Sequence, residues 1–490
     1  MCEQNKEKKC INDKILLLVP NYSWFGKRAW NTLPFAIPIL AAILKKYTLK
    51  IIDANIHNYS EEELADILEN EDAGIVLISV ISYDYNKIYH RMAEIVKQVS
   101  PNCILCMGGV YVTTCIEHVM ADENIDIGMM GHAEERLEPL IDALMDNDFE
   151  AIQHTEGIAF RKEGEVVINQ LVSNVADLTE MVKPDYSLTD IKKYINREES
   201  LTTNFVNESK KHFANILSSY GCPYNCIFCA SRSISGRKVV ARPADDVLDE
   251  LDYLVNECNI ELLNIMDDNI LFDRERANYI FSEIIRRNYN IEIRIDNLAI
   301  WHLDEEMLCL LKRAGCTRMG VSIESGCERV LHKIIRKPLK LEIVKPIREL
   351  CRKVGILMQA NFIIGFPGET WEEIRESLKF AEECDFDLIS IHIATPLPKT
   401  DLYDYAIETG ALSSDFSFFD NTHFGMGVGY LTTEEFTPNE LEILRAYEWD
   451  RINFSTPEKR QRACEILEIT EAELKEYRKQ TRINVGHFIR

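Results

Sequence analysis

The sequence predicts an α/β protein with two successive strand–helix series and a small helical region at the C-terminal end. Short apolar runs bounded by turn residues recur along most of the chain, and amphipathic helical patterns separate them. This alternation is typical of parallel sheets covered by helices, and 490 residues suffice for several domains with their own cores. We predict four segments: a doubly wound, Rossmann-like domain over 1–150, a hairpin and linker over 151–213, a partial barrel over 214–410 and a helical domain over 411–490.

The first domain is predicted from five apolar runs. They are Lys14–Pro20, Leu49–Asp53, Gly74–Val80, Cys103–Met107 and Ile125–Met130. The helical patterns between them include Pro34–Lys46, Lys87–Val99 and Glu134–Asp146, and Ser60 with Glu63 forms a capping-box pattern. Ligands of doubly wound sheets bind beyond the carboxyl ends of the strands. Because the loops at those ends lack G-x-G-x-x-G, a nicotinamide or flavin dinucleotide is not indicated.

A hairpin over Gly157–Asn169, turning at Glu163 and Gly164, and a polar linker over Gln170–Phe213 precede the second series. Its six predicted strands are Asn215–Ser219, Leu262–Met266, Ile291–Ile295, Arg318–Ile323, Met358–Ile364 and Leu388–Ala394. Six β/α units suit a partial (β/α)6 barrel of the TIM type, in which chemistry lies at the carboxyl ends of the strands. The helical patterns of the last segment are Pro438–Arg451, Pro457–Glu468 and Ala472–Arg482.

The composition favours a cytoplasmic protein that acts on a small molecule. The 55 Lys and Arg residues against 80 Asp and Glu give a net charge of −25, which argues against a nucleic-acid partner, because such binding draws on basic patches. Residues 1–13 are polar and do not resemble a secretory signal. The longest apolar run, Leu33–Leu44, contains two prolines and falls short of the roughly 20 residues of a membrane span. In a reducing compartment most of the 15 cysteines are then core residues.

Three cysteines are different. Cys222, Cys226 and Cys229 form a C-x3-C-x2-C pattern directly after the first barrel strand. Three thiolates on one loop can hold three corners of a [4Fe–4S] cluster and leave one iron open to another ligand, because Fe–S clusters prefer thiolate. The alternatives are three cysteines close together by chance and a zinc loop completed by distant ligands.

This loop resembles the motif of the radical SAM enzymes, with Phe228 at the aromatic position before the last cysteine. Met266–Asn269 is similar to the family's "DD" segment, Gly320–Gly326 to its G-x-E-S-G segment, and Gly365–Thr370 to its G-x-P-G-E-T turn. The resemblance implies that the cluster binds S-adenosylmethionine (SAM) at its open iron and that one-electron reduction yields a 5′-deoxyadenosyl radical.

Within these segments the resemblance implies SAM contacts. The residues are Phe228, Ser322, Glu324, Gly365 and Pro367. Simpler interpretations stay open. Asp267 and Asp268 suit a helix N-cap, and Gly365–Thr370 suits a plain strand–helix connection. Glu324 at a strand end is costly to bury alone, so we expect it to have a partner.

The first domain resembles the cobalamin-binding domains that precede many radical SAM proteins. Pro34–Ala42 is similar to their P-x-x-L-A-x-L helix, and Gly108-Gly109 to their G-G-x-H/Y turn, whereas Gly131–Glu135 departs from their G-E-G-E. The resemblance implies cobalamin contacts in the loops at Ser79, Gly108, Gly109 and Gly131. The D-x-H-x-x-G motif is absent, so we interpret His57 as a solvated loop residue and not as a cobalt ligand.

Three further features are ambiguous. Cys103 and Cys106 form C-x-x-C, but strand residues three apart point to opposite faces, so we interpret them as core. His392 on the last barrel strand is either a substrate contact or an ordinary strand residue. Lys399 replaces the glycine of the family's P-x-P-G-T and suits a solvent-facing loop or an anionic substrate.

Together the resemblances imply a cobalamin-dependent radical SAM methyltransferase. Such an enzyme uses a [4Fe–4S] cluster, SAM and cobalamin to methylate an unactivated carbon, or phosphorus, of a small metabolite. It also takes electrons from an external one-electron reductant such as flavodoxin or ferredoxin. One alternative is a cobalamin-dependent radical SAM cyclase or rearrangement enzyme that moves no methyl group. The other is a non-catalytic Fe–S or cobalamin sensor.

Overall fold

The computed structural model describes residues 12–27, 30–172, 183–196, 211–419, 425 and 427–486. The chain separates into two units. The first comprises Met1–Asn196 with Ser233–Gly236, and the second comprises Arg197–Arg232 with Arg237–Arg490. In the described part no helix is long and apolar enough to cross a membrane.

The first unit contains one sheet of seven strands. They are β1 (Lys14–Val19), β2 (Thr48–Asp53), β3 (Ile75–Val80), β4 (Ile104–Gly109), β5 (Ile127–Met129), β6 (Ile158–Lys162) and β7 (Glu165–Ile168). Their order is β2-β1-β3-β4-β5-β6-β7, and β1 to β5 are parallel. The predicted α/β class of this half is confirmed, and the order 2-1-3-4-5 is one of the common doubly wound arrangements.

The hairpin β6–β7 belongs to this sheet, although the sequence places it in the connecting segment. β6 pairs antiparallel with β5, and β7 with β6. The physical reason is that β5 has only three residues and would leave an unpaired edge. A sequence pattern predicts a hairpin from its turn, but does not show which edge the hairpin covers.

The helices of the first unit connect these strands. They are α1 (Ala36–Ile43), α2 (Ala54–His57), α3 (Glu61–Glu69), α4 (Asn86–Val99), α5 (Val110–Thr114), α6 (Ile116–Met120), α7 (Leu137–Asp146), α8 (Phe149–His154) and α9 (Ile191–Ile195). The predicted capping box of Ser60 and Glu63 begins α3. The predicted linker is described only in part, and its helix α9 is fixed to the sheet because Tyr194 donates to a carboxylate oxygen of Asp53 at 2.9 Å.

The second unit contains a six-stranded sheet and a short antiparallel pair. The strands are β8 (Phe213–Ile216), β9 (Ser219–Tyr220), β10 (Val240–Ala241), β11 (Leu262–Ile265), β12 (Glu292–Leu298), β13 (Cys316–Glu324), β14 (Leu357–Ile364) and β15 (Leu388–Ile393). The six-stranded order is β15-β14-β13-β12-β11-β8, and every neighbouring pair is parallel. The six predicted barrel strands are therefore confirmed.

Helices follow these strands and complete the second unit, except that Ser233–Ser235 at the end of the first of these helices belong to the first unit. They are α10 (Ser231–Ser235), α11 (Ala244–Asn256), α12 (Arg274–Arg287), α13 (Glu305–Arg313), α14 (Val344–Val354), α15 (Trp371–Cys384), α16 (Asp401–Glu408), α17 (Pro438–Phe454), α18 (Pro457–Leu467) and α19 (Glu471–Gly486). Thr437 and Thr370 form capping boxes at the starts of α17 and α15.

The C-terminal helices cover the amino ends of the last two barrel strands. Leu388, the first residue of β15, packs in one buried cluster with Phe454, Ala463, Ile466 and Leu474, and Leu357 at the start of β14 lies against it. This packing leaves the opposite, carboxyl ends of the strands as the place for a ligand.

Asn453 of α17 fixes the edge strand β15. The amide N–H of Ile389 donates to Oδ1 of Asn453 at 2.8 Å, and Nδ2 of Asn453 donates to the carbonyl of Ile389 at 3.0 Å. Both residues are buried, so the side chain takes the place of a neighbouring strand.

We expect Asn453→Ala to lower the free energy of unfolding by about 3 kcal/mol, because two buried backbone groups lose their partners. The measurement is urea denaturation followed by circular dichroism. The matched control is Asn439→Ala on the exposed start of the same helix, for which we expect a change within about 0.5 kcal/mol. Equal midpoints for the two variants would contradict the assigned role.

Candidate active site

The three-cysteine loop lies between β9 and α10. Cys222, Cys226 and Cys229 are half-buried, with free thiols. The loop is fixed through Ile227, whose N–H donates to the carbonyl of Ile335 at 3.0 Å and whose carbonyl accepts from the N–H of Leu402 at 2.9 Å. A buried apolar residue inside the motif therefore holds the thiols at the carboxyl end of the sheet.

Burial raises the pKa of all three thiols, to about 11 for Cys226 and about 12 for Cys229. Each of these two thiols is also coupled electrostatically to a neighbouring cysteine of the motif. The thiols lose their protons when they bind iron, because the thiolate is the form that binds the metal. Among the described residues, no three His, Cys, Asp or Glu side chains converge on a site for a single metal ion. A four-iron cluster does not require this convergence, because its thiolates bind different irons.

Phe228 brings the loop against the predicted turn after β14. Its ring lies 6.0 Å from that of Phe366, measured between centroids. Phe366 is fully buried, and so are its neighbours Gly365 and Pro367. The motif loop and the turn are therefore close in the structure, although about 140 residues separate them in the sequence.

The two aspartates after β11 do not cap a helix. Asp267 is buried and accepts from the backbone N–H of Ser218 at 2.7 Å and from the hydroxyls of Ser218 and Ser219 at 2.6 and 2.5 Å. This explains why β8 ends at Ile216, earlier than predicted. Asp268 accepts from the hydroxyl of Ser231 at 2.6 Å. Both aspartates therefore fix the chain on the two sides of the cysteine loop.

Asn269, the next residue, is buried and fits a polar cofactor. Neither Nδ2 nor Oδ1 of its side chain has a hydrogen-bond partner among the described residues. A buried amide without partners is costly unless a ligand completes it. Its place at the carboxyl end of β11 is compatible with bound SAM.

Glu324 has the partner that the sequence leads us to expect, and this partner is Lys337. Its Nζ lies 3.1 Å from a carboxylate oxygen of Glu324, and both side chains are buried. Burial alone would lower the pKa of Lys337, but the charges of Glu324, Cys226 and Cys229 raise it above its ordinary value. Sequence reasoning missed Lys337, because it lies 13 residues along the chain in a segment without a motif.

The turn Gly365–Thr370 is closed by its own glutamate. Oε2 of Glu369 accepts from the N–H groups of Gly365 and Phe366 at 2.7 and 3.0 Å, and Oε1 has no partner among the described residues. Burial raises the pKa of Glu369 to about 8. The glutamate therefore stabilises the turn whether or not the turn contacts SAM.

The barrel interior also contains polar side chains. Gln359 and Asn361 on β14 share a face with Ser390 and His392 on β15, as their register shows. Nε2 of Gln359 donates to Oγ of Ser390 at 2.7 Å. Burial, together with the charge of Arg445, lowers the pKa of His392 to about 4, so it is neutral at physiological pH. On the other side of β14, Ser322 of β13 pairs with Asn361.

Lys399 is exposed and adopts a φ of 58°. This left-handed conformation explains why the family has glycine at the position. Of the cysteines interpreted as core, Cys103 and Cys106 are buried, Cys103 just before β4, whereas Cys309 is exposed on α13. Cys2 and Cys10 lie outside the described residues.

The predicted loop residues of the first unit meet at the carboxyl ends of β3 and β4. Ser79 pairs with Gly108, and Val80 with Gly109. A Cβ on Gly109, whose φ is +126°, would lie 1.9 Å from the carbonyl oxygen of Val80, so only glycine fits. This turn is therefore fixed by sterics alone.

Thr113 links this turn to Gly131. Its hydroxyl donates to the carbonyl of Gly109 at 2.8 Å and accepts from the N–H of Gly131 at 2.9 Å. Sequence reasoning missed Thr113. In the loop after β3, Asp84 is half-buried. Its Oδ1 is shielded from solvent and has no hydrogen-bond partner among the described residues, and burial raises the pKa of this carboxyl to about 6. An orphaned polar atom in a carboxyl-end loop fits a bound polar cofactor.

His57 is exposed, as we expect for a solvated residue, but it ends the short helix α2 and does not lie in a loop. Its Nε2 lies 2.8 Å from Oδ2 of Asp190, and its ring stacks on Tyr59 at 5.0 Å. The contact with Asp190, far along the chain, is one that the sequence does not predict.

The buried Glu369 predicts a pH dependence of stability. Its folded pKa of about 8 exceeds the ordinary 4.5, so its contribution is complete below pH 4.5 and is lost as the pH rises through 8. We expect the native protein to lose a few kcal/mol relative to Glu369→Gln over that range. Parallel denaturation curves at several pH values measure this difference, and Glu372→Gln, at an exposed position of the next helix, is the control. A difference that does not change with pH would contradict the assignment.

Comparisons with known proteins agree with this geometry. Residues 216–381 match the Radical SAM superfamily, and residues 26–141 match the B12 binding domain. The chain is 28% identical over 81% of its length to an uncharacterized methyltransferase of Pyrococcus horikoshii, 84% of which is covered. It is 26% identical over 84% of its length to the cytidylyl-2-hydroxyethylphosphonate methyltransferase of Streptomyces wedmorensis, again with 84% covered.

Among solved structures, the radical SAM methyltransferase TsrM of Kitasatospora setae superposes with a TM-score of 0.68 at 19% identity, covering 88% of this chain and 82% of TsrM. This likeness shows a shared fold. The cofactors of the chain are a [4Fe–4S] cluster, SAM and cobalamin. The two domain matches, in the order that the sequence predicts, show that the chain belongs to the cobalamin-dependent radical SAM enzymes.

Proposed function

We propose that this protein is a methyltransferase that moves a methyl group to an unactivated carbon, or phosphorus, of a small metabolite. The observation that carries the proposal is the combination of a B12 binding domain and a radical SAM domain in one chain, with relatives named as methyltransferases over more than four-fifths of its length. The segment 1–150 would bind cobalamin, and 214–410 would bind the cluster and SAM.

When bound, these groups would supply two things. One is a 5′-deoxyadenosyl radical, which abstracts a substrate hydrogen, and the other is a methyl group carried by cobalamin. Cys222, Cys226 and Cys229 would hold the cluster, and their loop is fixed for this by Ile227. Cysteine thiolates are the usual protein ligands of such clusters.

The predicted SAM residues lie in the cysteine loop, in the last three residues of β13 and just after β14. The residues are Phe228, Ser322, Glu324, Gly365 and Pro367. Glu324 is fixed by Lys337, so its carboxyl group would be held in place to orient donors of the cofactor. Asn269 would add a buried amide that has no other partner among the described residues.

The predicted cobalamin residues are Ser79, Gly108, Gly109 and Gly131. Their backbones would approach the cofactor closely, because three of the four lack a side chain and Thr113 fixes their spacing. His57 is already paired with Asp190, which supports a cobalt without a histidine ligand from this chain.

Electrons would come from an external one-electron reductant such as flavodoxin or ferredoxin, which the cluster chemistry requires. The location would be the cytoplasm. The 13 cysteines of the described part form no disulfide bond with one another, as is typical of a reducing compartment.

The test is an anaerobic reaction of the reconstituted protein with labelled SAM, cobalamin and a reductant. We expect both 5′-deoxyadenosine and S-adenosylhomocysteine, because methylation and radical formation each consume SAM. Release of 5′-deoxyadenosine alone would exclude methyl transfer and favour cyclisation or rearrangement. Release of neither product would contradict an enzymatic function and favour a non-catalytic Fe–S or cobalamin sensor. Omission of cobalamin should abolish S-adenosylhomocysteine.

The same reaction tests the ligand assignment. Cys226→Ala should lose the brown cluster absorbance and both products, because one corner of the cluster loses its thiolate. The matched control is Cys309→Ala, which removes an exposed thiol on α13 and should retain both. Retained cluster absorbance in Cys226→Ala would refute Cys226 as a ligand.

A further inference from the structure

We propose that Asp296 forms a subsite in the barrel interior for a protonated amine of the substrate. This inference rests on the proposed function, because it takes the carboxyl end of the second sheet as the place of the reaction. It goes further in naming the chemical class of the substrate.

The register of β12 places Asp296 in the interior. Arg294 pairs with Arg318 on β13 and Ile295 pairs with Met319, and the next pair is Leu298 with Val321. Side chains alternate along a strand, so Asp296 shares the face of Arg294, away from the buried apolar Ile295.

A β-bulge in β12 includes Asp296 and affects the direction of its side chain. Two residues, Asp296 and Asn297, stand against the single Gly320 of β13, and Asn297 adopts a φ of 55°. Bulges are frequent next to active sites, where they re-aim a side chain. Gly320 pairs on its other side with Gln359 of β14, so no side chain of β13 separates Asp296 from Gln359.

Asp296 is buried without a cationic partner. Asp296 is only 8% exposed. Among the described residues, its carboxylate accepts one hydrogen bond, which comes from the N–H of the adjacent Asn297 at 3.1 Å. The described residues give it no ion pair. By contrast, Arg294 on the same face lies 2.6 Å from Glu292 and 3.4 Å from Glu468. Burial raises the pKa of Asp296 to about 6, so it is largely ionised at neutral pH.

Two amides on nearby strands also present unused acceptors, since Asn264 stands opposite Arg294 and Gln359 stands opposite Gly320. Oε1 of Gln359 and Oδ1 of Asn264 have no partner among the described residues. Each amide is held by its other end, because Nε2 of Gln359 donates to Ser390 and Nδ2 of Asn264 donates to Asn215 at 3.0 Å. Asn264 lies on β11, beside β12.

A buried carboxylate without a cation among the described residues matches a protonated amine. An ammonium group has three donors and no acceptor, and its charge would compensate a carboxylate that is otherwise expensive to bury. A carboxylate or phosphate group would be repelled at this place. The amine of the substrate would therefore bind beside Gly320, with the rest of the molecule toward the carboxyl ends of the strands.

The test is ligand-observed NMR on the anaerobically reconstituted protein with saturating SAM. The probes are butylamine, butanol and butyrate, which share a chain and differ in charge. We expect butylamine to bind about tenfold more tightly than butanol, as is typical of a charge-assisted hydrogen bond, and butyrate to bind least. Asp296→Asn should remove the preference, whereas Asp404→Asn, at an exposed residue of α16, should keep it.

Stability separates a ligand site from a structural role. Asp296→Asn removes an uncompensated buried charge, so its unfolding midpoint should equal or exceed that of the native protein. Asp296→Glu keeps the charge and should keep a preference for butylamine. A lower midpoint in Asp296→Asn, no amine preference in the native protein, or a preference that disappears when SAM binds would overturn the inference.

These outcomes are distinguishable from failure of the proposed function, because binding is measured without turnover. A protein that binds no amine but releases S-adenosylhomocysteine and 5′-deoxyadenosine overturns the subsite alone. A protein that binds butylamine through Asp296 but releases neither product contradicts the methyltransferase alone.

Discussion

The second unit depends on one constraint, which is that a buried charge must be compensated. An isolated charge in a protein interior costs several kcal/mol, and the interior polar groups of this unit are arranged accordingly. Glu324 is paired with Lys337, and Asp267 accepts from two serines. Glu369 accepts from the backbone of its own turn and, with a pKa of about 8, is largely uncharged at neutral pH. These contacts fix the segments around the three thiols. Among the described residues, Asp296 has no compensation beyond one backbone N–H, and an uncompensated buried carboxylate is where a ligand is expected.

The constraint also explains how the unit is closed at one end and open at the other. At the amino ends of the strands, the cluster around Phe454 and Leu388 and the contact between Glu468 and Arg294 fill the interior. At the carboxyl ends the polar groups keep unused hydrogen-bonding atoms, as Asn269 does. Radical chemistry benefits from such a site, because water is excluded and the groups are held in fixed positions.

The sequence is informative where a local pattern is sufficient. The alternating apolar runs predict the six parallel strands, and the spacing of Cys222, Cys226 and Cys229 predicts their common loop. It is uninformative where the partner is distant and has no motif. Lys337 and Thr113 are such partners, because a single lysine or threonine in a chain of this length carries no signal until the fold brings it to Glu324 or Gly109.

Register is the other property that the sequence does not contain. The bulge that sets Asp296 against Gly320 arises from pairing between β12 and β13, and the edge that the β6–β7 hairpin covers arises from the shortness of β5. Both are long-range consequences of strand pairing.

We infer that the three thiolates leave one iron of the cluster for SAM. The most direct test is electron–nuclear double resonance of the reduced cluster, with SAM labelled by ¹⁷O in its carboxylate. We expect a resolved ¹⁷O coupling, because the carboxylate oxygen would bind the iron that has no cysteine. A reduced cluster that shows no coupling while SAM is bound would contradict this inference, because the chain would then complete its own cluster.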